Sequence, residues 1–238
     1  MRIAFAADIH GNAVALEEVL KDIQQRSVDK IIILGDICFR GPEPQRSLNL
    51  VRRLQTSVIK GNADEWLVRG IKLGEVAENS LEVMNKEREW TLSNLAKDDI
   101  QYLQCLPESM KLEIEGIRIC AFHATPHSMF EIVPPDENEE NLLKTMMVEE
   151  ADIYVCAHIH KPYIKFFKGK CIINTGSVGL PFDGDKRASY TIMEVDSNFY
   201  QTSIIKVGYD VNNVIKQFNE TDYPNKDLMI RLLKNAKT

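Results

Sequence analysis

The fold is decided by residues 2–36, which read RIAFAADIHGNAVALEEVLKDIQQRSVDKIIILGD. A short apolar run at 2–7 is followed by a segment at 13–25 whose apolar residues recur at helical spacing. A second apolar run, at 30–34, is almost wholly β-branched residues and leucine, which is typical of a strand buried on both faces. A strand, a helix and a strand in this order predict a parallel pair of strands joined by a right-handed crossover.

The rest of the chain predicts more strands and helices, without a linker or an internal repeat that would divide it. The further predicted elements are a helix at 43–54, a strand at 57–60, a largely helical segment at 63–106, a hairpin at 111–122, a helix ending at 150, strands at 153–157, 163–167, 170–174, 188–195 and 199–206, and helices at 211–218 and 226–236. We therefore expect a single α/β domain that spans residues 1–238.

Composition excludes several classes of protein. The 238 residues are 44% hydrophobic and 27% charged, which excludes disorder as the dominant state. The net charge of −6 argues against stable binding to duplex nucleic acid. The longest apolar runs are far shorter than the roughly 20 residues of a membrane span, and the run at 3–7 is too short for a signal peptide. We expect a cytoplasmic protein.

The five cysteines are dispersed without a CxxC motif, so we expect small buried side chains rather than disulfides or a zinc ribbon.

Polar side chains that can bind a metal ion follow five of the predicted strands. They are Asp8 and His10 after the first strand, Asp36 after the second, Asn62 after the third, His123 after the hairpin, and His158 and His160 after the strand at 153–157. Ligand sites in open α/β sheets lie at the carboxyl ends of strands, so we expect these side chains to converge. Carboxylate, imidazole and amide groups suit Mn, Fe, Zn or Co, and an aspartate such as Asp36 can bridge two ions.

Each of these residues has a simpler structural interpretation when it is taken alone. Asp8 and Asp36 could cap the turns that follow their strands, Asn62 could be a turn residue, and one of the two paired histidines could face the core. Their joint occurrence at strand ends favours the metal interpretation. Asp64 is interpreted as an acid in the first turn of a helix, stabilised by the helix dipole.

Five motifs occur in a fixed order along the chain: Asp8-x-His10, Gly35-Asp36, Gly61-Asn62, His123 and His158-x-His160. This set resembles the motifs of the calcineurin-like metallophosphoesterases, and more narrowly those of the small YfcE-type phosphodiesterases. The resemblance implies a four-layer sandwich of two mixed β-sheets flanked by helices.

The resemblance also implies a role for each motif residue. Asp8, His10, Asp36 and His160 would hold a first metal ion, and Asp36, Asn62, His123 and His158 would hold a second. A hydroxide that bridges the two ions would attack phosphorus, so Asp36 and Asn62 also enter the catalytic set.

The sequence departs from the common family pattern at Ala63, and it carries a further motif residue at Arg40. Ala63 stands where many members carry a histidine that acts on the leaving group, a loss worth about 10²–10⁴-fold on a poor leaving group. His127 could replace that histidine, although an ordinary loop histidine is the simpler interpretation.

The segment from Asp36 to Arg40-Gly41-Pro42 is similar to a segment of the phosphatases related to dinucleoside tetraphosphatases. In those relatives the arginine contacts phosphate. The match is partial, because Phe39 stands where those relatives carry aspartate.

Together these features predict an enzyme that uses two divalent metal ions, with Mn first and Fe, Zn, Co or Ni as alternatives. The expected reaction is hydrolysis of phosphodiester or nucleotide phosphoanhydride bonds in a small-molecule phosphate ester or nucleotide. The alternatives are a phosphomonoesterase, including a phosphoprotein phosphatase, and a non-catalytic scaffold such as the retromer subunit that shares the fold. No membrane partner is expected, and the oligomeric state is left open.

Overall fold

The computed structural model describes residues 1–197 and 199–237. In these residues the strands are β1 (Arg2–Ala6), β2 (Lys30–Ile33), β3 (Ser57–Val58), β4 (Ser109–Ile114), β5 (Ile117–Phe122), β6 (Ile153–Cys156), β7 (Tyr163–Phe167), β8 (Lys170–Asn174), β9 (Ala188–Asp196) and β10 (Phe199–Val207). The helices are α1 (Ala13–Gln25), α2 (Pro44–Arg53), α3 (Asn62–Arg69), α4 (Glu78–Ser93), α5 (Lys97–Gln104), α6 (Glu139–Thr145), α7 (Val211–Glu220) and α8 (Lys226–Asn235).

The strands form two mixed sheets. The first has the order β10-β9-β1-β2-β3, and the second has the order β4-β5-β6-β8-β7. The pairs β1–β2 and β2–β3 are parallel in the first sheet, and β5–β6 and β6–β8 are parallel in the second. The parallel pairing predicted from residues 2–36 is therefore confirmed. Each sheet presents the carboxyl ends of its parallel strands on a single edge.

The core between the sheets follows from the alternation of side chains along each strand. Ile3 and Phe5 of β1 belong to an apolar cluster that also contains Leu34 after β2 and Val155 of β6. The intervening Ala4 of β1 faces the other way, into a separate cluster with residues of α1, α2 and α3. Both faces of β1 are thus buried, which explains its nearly uninterrupted apolar sequence.

Helices cover the outer faces of the two sheets. One apolar cluster joins α1, α2 and α3 to the first sheet, and another joins Leu142 of α6 to Tyr154 and Ile172 of the second sheet. The expected four-layer sandwich is confirmed. The assignment of the whole chain to a single domain stays a prediction.

Three local predictions differ from the structure. The third strand ends at Val58 rather than residue 60, because the Lys60 amide turns away to donate to the Pro107 carbonyl. Helix α6 ends at Thr145 rather than residue 150, since the chain is drawn into the core at Met146, which is 1% exposed. Cys105 is exposed, whereas the other four cysteines are buried. No described helix combines the length and the apolarity needed to cross a bilayer.

Helix α1 is tied to the first sheet by a hydrogen-bonded carboxylate. Oδ2 of Asp22 accepts hydrogen bonds from the Tyr190 hydroxyl at 2.6 Å and from Arg26 Nε at 2.7 Å. Burial raises the pKa of Asp22, but these hydrogen bonds outweigh it and hold that pKa below its ordinary value. Because the pKa is lower in the folded state, the stabilisation is complete above about pH 5 and is lost as the pH falls through about 3.9 and below.

We therefore expect Asp22→Asn to lower the free energy of unfolding by about 1 kcal/mol at pH 7 and by clearly less at pH 3. Urea denaturation at the two pH values measures this difference. Tyr190→Phe removes one of the donors that lower the pKa of Asp22, so it should show the same pH dependence with a smaller loss at pH 7. An equal loss at both pH values for Asp22→Asn would contradict the assignment.

Candidate metal centre

The backbone is left-handed at the strand ends that carry the predicted ligands. The φ angles are +53° at Asp8, +48° at His10, +57° at Asp36, +69° at His158 and +57° at His160. This conformation is uncommon for residues other than glycine and costs of order 1–3 kcal/mol where it is strained. Such residues concentrate at functional sites, and here they follow the ends of β1, β2 and β6.

The first predicted ligand set comes together as a compact cluster. One ligand atom from each of Asp8, His10, Asp36 and His160 lies within 4.8 Å of the others, and all four residues are buried. His10 Nε2 lies 3.1 Å from His160 Nε2 and 3.6 Å from Asp36 Oδ2. His160 Nε2 lies 3.8 Å from Asp8 Oδ2. This group of oxygen and nitrogen atoms could hold a metal ion.

The second predicted set adjoins the first through the same Asp36 oxygen. His123 Nε2 lies 3.5 Å from Asp36 Oδ2 and 2.9 Å from Asn62 Oδ1. The ring of His158 lies 5.2 Å from that of His123, centroid to centroid. Asp36 Oδ2 is therefore placed between His10 on one side and His123 on the other, as a bridging ligand would be.

Two buried ligand atoms in the cluster make no hydrogen bond within the described structure. They are Oδ1 of Asp8 and Nε2 of His158. Buried polar atoms are normally paired, so such atoms at a functional site call for an explanation. A cation held among these oxygen and nitrogen atoms would provide one, and the donor set therefore fits the metal that the sequence predicts.

Backbone carbonyls orient the histidine rings. His10 Nδ1 is 2.8 Å from the Phe39 oxygen, His123 Nδ1 is 2.7 Å from the Leu34 oxygen, and His160 Nδ1 is 2.5 Å from the Leu180 oxygen. In each case Nδ1–H donates to the carbonyl, so the neutral ring directs its Nε2 lone pair into the cluster.

Asp64 holds the loop that carries Asp36. Its carboxylate accepts hydrogen bonds from the amides of Asp36 at 2.7 Å, Ile37 at 2.9 Å and Gly61 at 3.0 Å. The Ala63 amide donates to Asp36 Oδ1 at 2.8 Å, which leaves Oδ2 free to face the cluster. Gly61 permits this approach, since a Cβ there would lie 2.1 Å from Asp36 Oδ1. Asp64 does lie in the first turn of α3, as interpreted from the sequence, and it also organises the loop.

Burial of several carboxylates close together shifts their pKa values. Burial raises the pKa of Asp8 well above its ordinary value, although the His123 imidazole opposes this. Burial and the Asp36 carboxylate together raise the pKa of Asp64 to about 6. Burial would also raise the pKa of Asp36, but the His123 imidazole outweighs it and holds that pKa below its ordinary value.

The pKa of one histidine in the cluster is raised, and the pKa values of the other three are lowered. Burial alone would lower the pKa of His123, but the carboxylates of Asp36 and Asp8 raise it to about 10. Burial lowers the pKa of His10, of His160, and of His158, the last to about 4. His123 is thus the group whose positive charge can balance the carboxylates within the chain itself, and a divalent cation among the same atoms would serve the same purpose.

The other two predicted site residues lie outside the cluster. Arg40 has a φ of +72°, and its Nε lies 3.4 Å from Oε2 of Glu87 on α4. Glu87 is completely buried, and Arg40 is the charged group that opposes the effect of burial on its pKa. His127 is exposed in the loop after β5 and does not belong to the cluster. The phosphate contact of Arg40 and the catalytic role of His127 stay predictions.

Sequence reasoning missed two residues that contact predicted site residues. Glu87 is the first, and its spacing from Met84 and Thr91 along the buried face of α4 is a signal that could have revealed it. Phe182 is the second, and its ring stacks on His160 with centroids 4.5 Å apart and an angle of 15°. No sequence pattern distinguishes Phe182 from an ordinary apolar loop residue.

Comparison with known proteins identifies relatives over nearly the whole chain. The family model described as "Calcineurin-like phosphoesterase superfamily domain" matches residues 1–198. A metallophosphoesterase of known structure from Sphaerobacter thermophilus is 28% identical, with a TM-score of 0.81 and coverage of 99% of both chains. The hypothetical protein PH1004 from Pyrococcus horikoshii OT3 shares the fold, with 21% identity, a TM-score of 0.85 and coverage of 100% of this chain and 99% of that one.

One similar curated protein has no assigned function. The uncharacterized protein MJ0912 of Methanocaldococcus jannaschii is 29% identical over 243 residues, which cover 93% of each protein. More distant solved structures include the phosphoesterase YfcE from E. coli, with 19% identity, a TM-score of 0.48 and coverage of 87% of this chain and 100% of that one. The family resemblance stated from the motifs is confirmed by the family model.

The three hydrogen bonds to Asp64 lead to a prediction about stability. We expect Asp64→Ala to lower the free energy of unfolding by about 3 kcal/mol or more, because three buried amides lose their acceptor. Asp64→Asn keeps one acceptor oxygen and should lose less. Urea denaturation measures both variants.

The matched control is Asp98→Ala, since Asp98 is an exposed acid in the first turn of α5. That substitution should change the stability by less than about 0.5 kcal/mol. A similarly small change for Asp64→Ala would show that Asp64 does not organise the Asp36 loop.

Proposed function

This chain belongs to the calcineurin-like phosphoesterase superfamily, and we propose that it hydrolyses phosphodiester or nucleotide phosphoanhydride bonds with two divalent metal ions. The observation that carries the proposal is the position of Asp36 Oδ2, which lies 3.6 Å from His10 Nε2 and 3.5 Å from His123 Nε2. A single carboxylate oxygen shared by two adjacent sets of ligand atoms is the arrangement expected of a two-metal site.

Seven side chains supply the ligands in this proposal. Asp8, His10, Asp36 and His160 hold one ion, and Asp36, Asn62, His123 and His158 hold the other. When bound, such ions supply Lewis-acid activation of water and of phosphoryl oxygens. Mn²⁺ is the metal that we test first, since these borderline-hard ligands accept it together with Fe, Zn, Co and Ni.

The protein's own side chains contribute orientation and charge. Hydrogen bonds from Nδ1 of His10 and His123 to backbone carbonyls hold the rings in place, and the Ala63 amide holds Asp36. Arg40 supports phosphate binding in the proposal, because it lines the same small pocket as His10. Glu87 is the positioning residue for Arg40.

The environment of Ala63 bears on the preferred substrate. Ala63 is 1% exposed and packs in an apolar cluster with Trp66 and Leu67, so its position offers no proton donor to a leaving group. His127, the other candidate, is exposed and outside the cluster. We therefore favour diesters and anhydrides with better leaving groups over alkyl monoesters, whose departure depends more strongly on a general acid.

The first test of the proposal is Asp36→Asn. The amide oxygen can still accept the Ala63 hydrogen bond, but the bridging charge is lost. We expect the bound Mn²⁺ to fall below two ions per chain and kcat/KM to fall at least about 100-fold. Inductively coupled plasma mass spectrometry after dialysis measures the metal, and Asp98→Asn is the exposed control. Unchanged metal content and turnover in Asp36→Asn would overturn the two-metal proposal.

The second test compares bis-p-nitrophenyl phosphate with p-nitrophenyl phosphate as substrates of the Mn²⁺-loaded protein. We expect kcat/KM to favour the diester at least about tenfold. Both esters release p-nitrophenolate, which needs little proton assistance, so the comparison tests recognition of a diester and not the general acid. A preference for the monoester would favour the phosphomonoesterase alternative. Two bound ions without turnover of either ester would favour the non-catalytic scaffold.

A further inference from the structure

We propose that a cavity beside the metal centre binds a flat ring in the ester group of the substrate, so that the preferred substrates are aromatic or nucleoside phosphoesters. This inference rests on the proposed function and deepens it. The cavity has a volume of about 330 Å³, within the range of roughly 300–1,000 Å³ typical of small-molecule sites. His158 lines one side of it.

The position of His158 connects the cavity to the chemistry. His158 is a proposed ligand of the second metal, its ring lies 5.2 Å from that of His123, and the residue also lines the cavity. A group in the cavity is therefore adjacent to any phosphoryl group bound at the centre. This adjacency makes the cavity a site for the ester group and not an isolated surface depression.

One wall of the cavity is an exposed isoleucine that its neighbours hold in place. Ile132 is 72% exposed. Two residues before it, the Phe130 ring packs 5.9 Å from Trp66 and 5.2 Å beneath the Arg69 guanidinium. One residue after it, Val133 is 4% exposed in the cluster behind the second sheet. Anchors on both sides keep Ile132 directed outward, where a bound ring would bury its side chain.

Another wall is aromatic. The Phe182 ring stacks on His160, and the Phe182 amide donates to the His160 carbonyl at 3.0 Å, so the ring is held against a metal ligand. Pro134 and Ile159 add further apolar surface to the lining. Flat, weakly polar walls of this kind favour a planar ring over a flexible chain or a sugar alone.

A cation lies at the same cavity. Lys161 follows His160 directly, is exposed, and takes part in none of the ion pairs found among residues 1–197 and 199–237. Its ammonium group offers a local attraction for an anion in a protein with a net charge of −6. Among ring-bearing phosphoesters, a nucleotide combines a planar base and a sugar with phosphate, and we commit to that ligand class.

The experiment measures binding, so it does not depend on turnover. Isothermal titration calorimetry gives the Kd of AMP and of ribose 5-phosphate, which carries the phosphate and sugar without the ring, on the Mn²⁺-loaded protein. We expect AMP to bind at least about tenfold more tightly. Ile132→Asn should reduce AMP affinity about tenfold and leave ribose 5-phosphate affinity within about twofold.

The matched control is Leu73→Asn, because Leu73 is 83% exposed and does not line the cavity. It should retain the full preference for AMP. Phe182→Leu keeps apolar volume but removes the aromatic wall, and it should also reduce the preference, with metal content measured to show that His160 still binds.

Equal affinity of the two ligands, no binding of either, or an unchanged preference in both Ile132→Asn and Phe182→Leu would overturn the inference. Failure of the proposed function has a different signature. In that case bis-p-nitrophenyl phosphate is not hydrolysed although the ring-dependent binding persists. Turnover of that ester without any ring preference would instead leave the function standing and remove the ring site.

Discussion

The left-handed backbone at the strand ends is the constraint on which the rest of the site depends. Asp8, His10 and Asp36 could not reach the same point if their strands simply ran on. Cross-loop hydrogen bonds maintain the turn, since the Asp8 amide donates to the Gly35 carbonyl and the His10 amide donates to the Asp36 carbonyl. Gly35 permits the approach, because a Cβ there would lie 2.2 Å from the Gly61 amide nitrogen. Strained conformations persist only where the surroundings over-determine them in this way.

Convergence of the strand ends also brings several negatively charged carboxylates together in a buried region, which is electrostatically unfavourable. Asp8, Asp36 and Asp64 are all nearly or fully buried within a single region. Burial of like charges is unfavourable unless a positive charge compensates. His123 is the positive group that the chain supplies, and divalent cations bound by the same residues would take over that role. Metal binding and folding are therefore coupled, because each ion that binds the folded state stabilises it relative to the unfolded chain.

Sequence reasoning predicted the parallel strands, which the structure confirms, and the order of the candidate ligands, because both leave local signals. A buried strand reads as an apolar run, and the polar residue at its end stands out against that run. The Arg40–Glu87 pair and the stacking of Phe182 on His160 leave no such signal, because each joins residues from distant segments. Helical spacing shows that Glu87 is buried, but it does not show which residue it meets. The early end of α6 was missed for a similar reason, since the burial of Met146 depends on tertiary packing.

In the proposed function, Ala63 connects the packing of the fold with the choice of substrate. Its methyl group belongs to the apolar cluster around Trp66, while its amide orients Asp36, so the position serves packing and ligand geometry together. Without a proton donor there, a leaving group has to depart with less assistance. Binding energy gained away from phosphorus can offset this, provided that it is used to orient the ester in the transition state. The cavity between Ile132 and Phe182 is the place where such binding energy can arise. In the proposed function, the absence of a proton donor at Ala63 and the binding of a ring in the cavity would therefore act together on the choice of ester.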